Sequence, residues 1–305
     1  MNNKFILGSR SSRLALAQTE LAVRMLRAAH PGLDITVKLI ETTGDKIPEG
    51  PLHKIGGKGL FTKEIEDALL KGEIDAAVHS MKDLPVLLPA GLKITAVTKR
   101  EDPRDALVSR GRFTLKTLPA DCGVGAGSLR RRAQILGIRK DLRLLDLRGN
   151  VDTRVRKLNE GEFDAIVIAA AGLNRLGLKS IFTAIPTDEI LPPAGQGALG
   201  IEIRSDDSRA GELAGILDDP DSCLCAGAER RLLSGLNGGC HTPIGAYAVI
   251  VEGRLILKAG VFSPDGTRAL KDEIAGDRND ADELGRRLAE RMLASGAGKI
   301  LDGAR

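Results

Sequence analysis

Aromatic residues are nearly missing from this 305-residue chain, which has no tryptophan, one tyrosine and six phenylalanines. Its core must be built from Leu, Ile, Val and Ala, and stacking platforms for single-stranded nucleic acid are not available. Cysteine is sparse too. Four thiols, Cys122, Cys223, Cys225 and Cys240, make no disulfide framework in a chain of this length. Cys223-x-Cys225 lacks the two-residue gap of common zinc and redox motifs and no histidine cluster accompanies it, so no metal site is expected. Long apolar runs are also lacking. The opening MNNKFILGSRSS has only a four-residue apolar stretch, too short for a secretory segment, and no later run approaches a membrane span. A cytoplasmic protein without a membrane partner is expected. Nor is there a strong charge of one sign: a net charge of +4 is too mild to indicate a nucleic-acid partner.

What is present is globular. Apolar residues make up 42% and charged residues 28%, an ordinary composition for a folded chain. The length calls for two or three domains. The charge is unevenly spread, with 12 Lys/Arg against 7 Asp/Glu over residues 121–180. A basic excess gathered in a cleft attracts a small anionic ligand.

Over the first 200 residues short apolar runs alternate with helical patterns, the signature of an α/β fold with a mostly parallel sheet. Phe5-Ile6-Leu7 reads as a strand. Ser11 or Ser12 then caps a helix whose expected apolar face is Leu14, Ala17, Leu21 and Met25 and which stops at His30-Pro31-Gly32. Strands are expected at Ile35–Ile40 and Ile74–His79, with a helix near 62–71 and a Gly-rich loop at 41–60 between them. Two passages recur. Lys71–Val78 reads KGEIDAAV and Glu160–Val167 reads EGEFDAIV, while Gly8-Ser9 and Gly127-Ser128 each open an Arg-bearing helix. Either match alone is short enough for chance, but both in the same order read as an internal duplication and hence as two similar lobes. Ligands of such sheets sit at the carboxyl ends of the strands. After Leu191-Pro192-Pro193, AGQGALGIEIR reads as a Gly-hinged segment and a strand that returns to the first lobe. From about 222 the pattern changes to a helix (222–236), three strands joined at Glu252-Gly253 and Ser263-Pro264-Asp265-Gly266, and a final helix with Leu284, Leu288 and Met292 on one face. The expected domains are 1–98 with 198–218, then 103–193, then a small α+β domain at 222–305.

Basic residues cluster at strand ends. Ser128, Arg130 and Arg131 follow one expected strand, Arg148 and Arg154 another, and Gly172 and Arg175 a third, with Arg10 and Ser12 matching them in the first lobe. Helix N-termini offer free N–H groups and a partial positive charge, and an Arg there is unfavourable unless an anion neutralises it. A solvated basic face is the plainer reading of any one of them; their repetition favours an anion site. Lys54 and Lys58 sit among glycines in KIGGKG, either a lid over an anion or an ordinary loop without Walker order. Lys82 and Asp83 emerge at the end of an expected strand. Asp83 there either stabilises a developing cation and moves a proton, or merely caps the turn or pairs with Lys82. Cys240, in the Gly-rich turn NGGCHTP, is either an incidental thiol or a site of covalent chemistry.

Together GSRSS (8–12), KIGGKGLFTKE (54–64), AVHSMKDLP (77–85), REDPRDALVS (100–109), GSLRRR (127–132), LRGNVDTR (147–154), AAAGLNRLGL (169–178), GQGALGIE (195–202) and GGCHTPIG (238–245) resemble the hydroxymethylbilane synthase (porphobilinogen deaminase) family from end to end. The resemblance implies two similar lobes like those of periplasmic binding proteins plus a small α+β C-terminal domain. It implies a dipyrromethane cofactor tied by a thioether to Cys240, onto which four porphobilinogen units are added head to tail with loss of ammonia before hydrolytic release of the linear tetrapyrrole. It makes Asp83 the carboxylate beside the pyrrole nitrogen. Lys58, Lys82, Asp83, Ser128, Arg130, Arg131, Arg148 and Gly172 are then the cofactor's contacts, and Arg10, Ser12, Lys54, Arg148, Arg154, Arg175 and Gln196 those of the substrate. A cytoplasmic monomer is expected, with porphobilinogen as its small-molecule partner. The family often carries a hydroxyl-bearing run before the leucine of GSLRRR, where this chain has Ala126-Gly127 and only Ser128. The rival from another class is a non-catalytic two-lobed anion receptor, which would need neither Asp83 nor Cys240.

Overall fold

The computed structural model describes residues 3–46, 61–178, 182–239 and 242–303. In chain order β1 (Lys4–Ser9), α1 (Arg13–Ala29), β2 (Asp34–Leu39), α2 (Thr43–Lys46), α3 (Lys63–Leu70), β3 (Ala76–Ser80), a 3-10 turn (Met81–Asp83) and β4 (Leu92–Val97) come first. Then follow β5 (Asp105–Ser109), β6 (Gly123–Gly125), α4 (Leu129–Ile138), β7 (Arg143–Leu145), α5 (Val151–Glu160), β8 (Ala165–Ala169), α6 (Ala170–Arg175) and β9 (Phe182–Ala184). The remainder is β10 (Leu199–Arg204), α7 (Ser208–Gly215), α8 (Pro220–Gly235), β11 (Ile244–Val251), β12 (Arg254–Phe262), β13 (Ala269–Asp277), α9 (Ala281–Ala294) and α10 (Ala297–Asp302). Contacts group these into two compact units, 1–100 with 198–223 and 101–197 with 224–305.

The first unit is a five-stranded sheet in the order β2-β1-β3-β10-β4. β1 pairs in parallel with β2 and β3, while β10 runs antiparallel to both β3 and β4. The strand at 199–204 thus enters the first sheet, as its Gly-hinged approach led us to expect. Phe5, Leu7, Leu26, Ile201 and Ile203 form the core on the face covered by α1 and α7, and Ile65, Leu69, Ile74 and Ala77 form that under α3. The buried face of α1 differs from the expected row. It is Gln18, Thr19, Ala22, Val23 and Leu26, with Leu21 and Met25 only flanking it. The cause is polar: Gln18 donates to Ser80 and Thr19 to Ser9, so two hydrogen-bonding residues are drawn inward that an apolar count ranks as exposed.

The second unit holds a five-stranded sheet, β7-β6-β8-β5-β9, and the three-stranded meander β11-β12-β13. β6 is parallel to β7 and β8, and β5 is antiparallel to β8 and β9. The two five-stranded sheets repeat one plan, and the repeated sequence words explain why. Asp75 of EIDAAV accepts the Ile6 N–H at 2.7 Å, and Asp164 of EFDAIV accepts the Gly123 N–H at 2.7 Å. Each Asp ties the start of a central strand to the parallel strand beside it. Ser12 and Ser128 cap the helices that follow β1 and β6, accepting from Ala15 N–H and Arg131 N–H.

The meander turns as predicted, at Glu252-Gly253 and at the Ser263–Gly266 turn, and α9 covers it with Leu284, Leu288 and Met292. A short α10, not foreseen, adds Ile300 and Leu301 to the same core. The meander is stitched to the rest of its unit. Ala246 N–H donates to Pro192 O, and Gly266, at φ +70°, lies so close to Ala133 and Gly137 of α4 that a Cβ there would fall 2.6 Å from a backbone nitrogen. Glu229 of α8, wholly buried, accepts the N–H groups of Gly195 at 2.6 Å and Ala248 at 2.7 Å. Removing that carboxylate strands buried donors. Glu229→Ala is expected to lower stability by about 2–4 kcal/mol, read as a fall in the urea midpoint.

Candidate active site at the strand ends

Because β1 and β3 are parallel neighbours, the residues that leave their carboxyl ends share one edge of the first sheet. Ser12 and Arg10 follow β1; Lys82 and Asp83 stand in the 3-10 turn after β3. Gln18 of α1, reaching Ser80 at 2.8 Å, joins the two strand ends. Arg10 is not loose. Its guanidinium grips Asp45 of α2 and lies over the Phe61 ring, 4.3 Å from the centroid. Ser12 uses its hydroxyl as a helix cap. Asp83 is exposed and its carboxylate has no partner among the described residues, so pairing with Lys82 is not what holds it. Lys54, Lys58 and Cys240 lie outside the described residues.

The second sheet gathers its cations in the same way. β7, β6 and β8 are parallel, and α4, α5 and α6 carry the predicted residues away from their carboxyl edge. Arg130 and Arg131 turn inward and are 4% and 6% exposed. Between them lies a residue that sequence reasoning did not single out. Asp105, at the start of β5 and wholly buried, accepts from Arg130 at 2.7 Å, Arg131 at 2.7 Å and Gln196 at 3.0 Å. Burial alone would push its carboxyl up, but the two guanidiniums outweigh this and hold it far below the usual range. Its only signal in the sequence was its place in REDPRDALVS, a segment quoted for resemblance and given no chemistry. Arg130 also donates to Leu191 O, and Gln196 to Pro103 O at 2.8 Å.

One carboxylate between two guanidiniums leaves a positive charge over. Arg131 Nε is buried without a partner. Arg175 shows the same lack: it donates to Gly197 O at 2.6 Å, beside Gln196, while its Nε is buried and unpartnered. Burial lowers its pKa to about 10, with Glu101 opposing. Burial also lowers Arg148, and no hydrogen-bond partner for its side chain exists among the described residues. Arg154 is turned back on Gly149 O at 2.7 Å. Gly172 lies buried within α6. Cations desolvated this far are stable only if an anion completes them. The structure therefore joins Arg130, Arg131 and Gln196 through Asp105, places Arg175 beside them, and sets Arg148 and Arg154 together at the next strand end.

The departure at 126–127 has a steric reason. Ala126 is fully buried, and a Cβ on Gly127 would come within 2.5 Å of Leu147 O. Only glycine fits between α4 and the strand end that leads to Arg148. Ser128 keeps its hydroxyl for the α4 cap. Among the described residues no group of His, Cys, Asp and Glu side chains is arranged to hold a metal, and no helix is long and apolar enough to cross a membrane.

Comparison with known proteins gives this geometry a family. Residues 5–212 match the model of the porphobilinogen deaminase dipyrromethane cofactor-binding domain, and residues 223–294 that of the porphobilinogen deaminase C-terminal domain. Curated porphobilinogen deaminases are similar along nearly the whole length: that of Desulforudis audaxviator is 50% identical over 99% of this chain and 98% of its own. That of Chloroherpeton thalassium is 48% identical over the same shares. Among solved structures, the methionine-binding protein MetQ is similar with a TM-score of 0.45 at 15% identity, over 70% of this chain and 89% of its own. Matched by both domain models in order and by relatives of near-half identity, the chain belongs to the porphobilinogen deaminase family.

Proposed function

We propose a division of labour among this chain's residues for the reaction of its family. That reaction is hydroxymethylbilane synthesis, the deaminating head-to-tail condensation of four porphobilinogen molecules on a cysteine-linked dipyrromethane, followed by hydrolytic release of the linear tetrapyrrole. A transferase of this kind accumulates carboxylates as its product lengthens, since each pyrrole carries an acetate and a propionate. The orphaned Nε atoms of Arg131 and Arg175 and the half-desolvated Arg148 are what such a polyanion would complete. The residues present therefore fit the cofactor. In this reading Ser128, Arg130, Arg131, Arg148, Lys58, Lys82 and the Gly172 backbone hold it, with Cys240 as its covalent anchor. When bound, it supplies the pyrrole carbon to which the first substrate is joined.

The observation that carries the reading is Asp83. An exposed carboxylate with no described partner, at the end of a central strand, is free to stand beside a positively charged pyrrole nitrogen. There it stabilises the cation that forms as ammonia leaves, and it accepts and returns a proton. Arg10, Ser12, Lys54, Arg148, Arg154 and Arg175 take the substrate's carboxylates in this scheme. Arg fits that work because its planar fork matches a carboxylate with two bonds. For Gln196, whose amide is committed to Asp105 and Pro103, the role is indirect: it steadies the guanidiniums rather than meeting the ligand. The enzyme is read as a cytoplasmic monomer, in keeping with Cys122, Cys223 and Cys225 forming no disulfide. The family assignment does not favour a non-catalytic receptor.

Two measurements test this. The purified protein should be heavier than its sequence by one dipyrromethane, and Cys240→Ser should lose that excess; a Cys240→Ser protein with full turnover would contradict the anchor. Asp83→Ala should keep the added mass yet turn over on the order of a hundredfold more slowly, whereas normal turnover would remove Asp83 from its role.

A further inference from the structure

Three ionisable side chains lie sealed inside the first unit, and nothing above uses them. His79 of β3, Glu202 of β10 and Glu66 of α3 are 5%, 0% and 6% exposed. His79 Nε2 lies 3.0 Å from Glu202 Oε2. That is ion-pair distance without hydrogen-bond alignment: His79 Nε2, both Glu202 carboxylate oxygens and Glu66 Oε1 have no hydrogen-bond partner among the described residues. Burial pushes the Glu66 carboxyl up; the nearby Thr62 hydroxyl opposes this, Glu202 adds to it and His79 opposes it. Such groups are costly to bury and are poor agents of stability. What a buried polar pair supplies instead is one preferred geometry.

Its location says which geometry. The ladder between β1 and β3 ends at Ala77, so His79 and Ser80 are paired on the sheet with β10 alone, opposite Gly200 and Leu199. Glu202 pairs with Ala77, which makes it the diagonal neighbour of His79 on the same face. Gly200, facing His79, has no room to spare: a Cβ there would lie 3.0 Å from both Met81 Sδ and Leu84 Cδ1. Those are the residues on either side of Lys82-Asp83. The Met81 N–H donates to Ala198 O, again on the β10 approach. The turn that carries Asp83 is thus seated on β10 immediately beside the buried pair.

We propose that His79 and Glu202, backed by Glu66, are positioning residues for Asp83. Their contact fixes the register of β3 on β10 at the last rung before the turn, and so fixes the direction in which the Asp83 carboxylate leaves the sheet. A greasy pair at these positions would hold the strands together but tolerate sliding. The proposal rests on the role given to Asp83 above.

The test compares Glu202→Gln, His79→Gln and their double variant with Asp83→Ala, all as full-length protein with the covalent cofactor verified by intact mass. Glu202→Gln should keep the cofactor mass and a KM for porphobilinogen within about twofold, while kcat falls about tenfold, the scale expected of a misplaced catalytic group. The double variant should be no slower than the worse single variant by more than about threefold, because both remove one contact. Gly200→Ala provides a second route that leaves the buried charges alone: it crowds Met81 and Leu84, and should likewise lower kcat and spare KM. Pair variants that melt earlier yet retain wild-type kcat would reduce the cluster to packing and overturn the proposal. If they do not fold, an unchanged kcat in Gly200→Ala overturns it instead. Normal turnover by Asp83→Ala would remove the underlying reading, while slow Asp83→Ala beside normal Glu202→Gln and Gly200→Ala would remove this proposal alone.

Discussion

A carboxylate shut away from water governs the working edge of the second unit. Asp105 cannot be solvated, so it must be surrounded by donors, and those donors are side chains of the helix that follows β6 and of the segment before β10. The arrangement is not an efficient route to stability, because an apolar trio of the same volume would avoid the desolvation cost. What it gives is directed charge. Two guanidiniums are locked in place by one anion, leaving an uncancelled positive charge with a buried, empty-handed Nε. Arg175 repeats the unpartnered Nε at a neighbouring strand end, and Arg148 is partly desolvated at another.

The two five-stranded sheets share a skeleton and differ in the side chains at their strand ends. The Asp75 and Asp164 ties and the Ser12 and Ser128 caps are equivalent scaffolding, preserved through what reads as a duplication. The strand ends have diverged. One presents a bare carboxylate at Asp83; the other presents guanidiniums in excess. In the reading proposed above, Asp83 serves proton and cation chemistry while the guanidiniums serve binding.

Much of this was legible in advance for a physical reason. Strand-end residues lie close in sequence to the strands that aim them, so Arg148, Arg175 and Asp83 announce themselves through local pattern. The return of residues 199–204 to the first sheet showed in its glycines and its apolar run. Asp105, Glu202 and Glu66 did not show, because their meaning comes from partners far along the chain: Asp105 meets Arg130 only across 25 residues, and Glu202 meets His79 across more than a hundred. The face of α1 was misjudged for a related reason. Counting apolar side chains ignores a glutamine and a threonine that are buried because of what they bond to. Gly127 was noticed as a missing hydroxyl, and its actual constraint, a carbonyl in the way, is visible only in three dimensions.

The placement of β10 has a consequence for how the molecule is made. Because this strand lies between β3 and β4, those two strands have no partner in common until the chain has been synthesised past residue 204. The other five-stranded sheet draws on a single stretch, from Asp105 to Ala184, and needs nothing from beyond it. On a ribosome the later sheet is therefore free to close first, while the earlier one waits with an open edge on β3 for β10. Loop-closure entropy works in the same direction during refolding from denaturant.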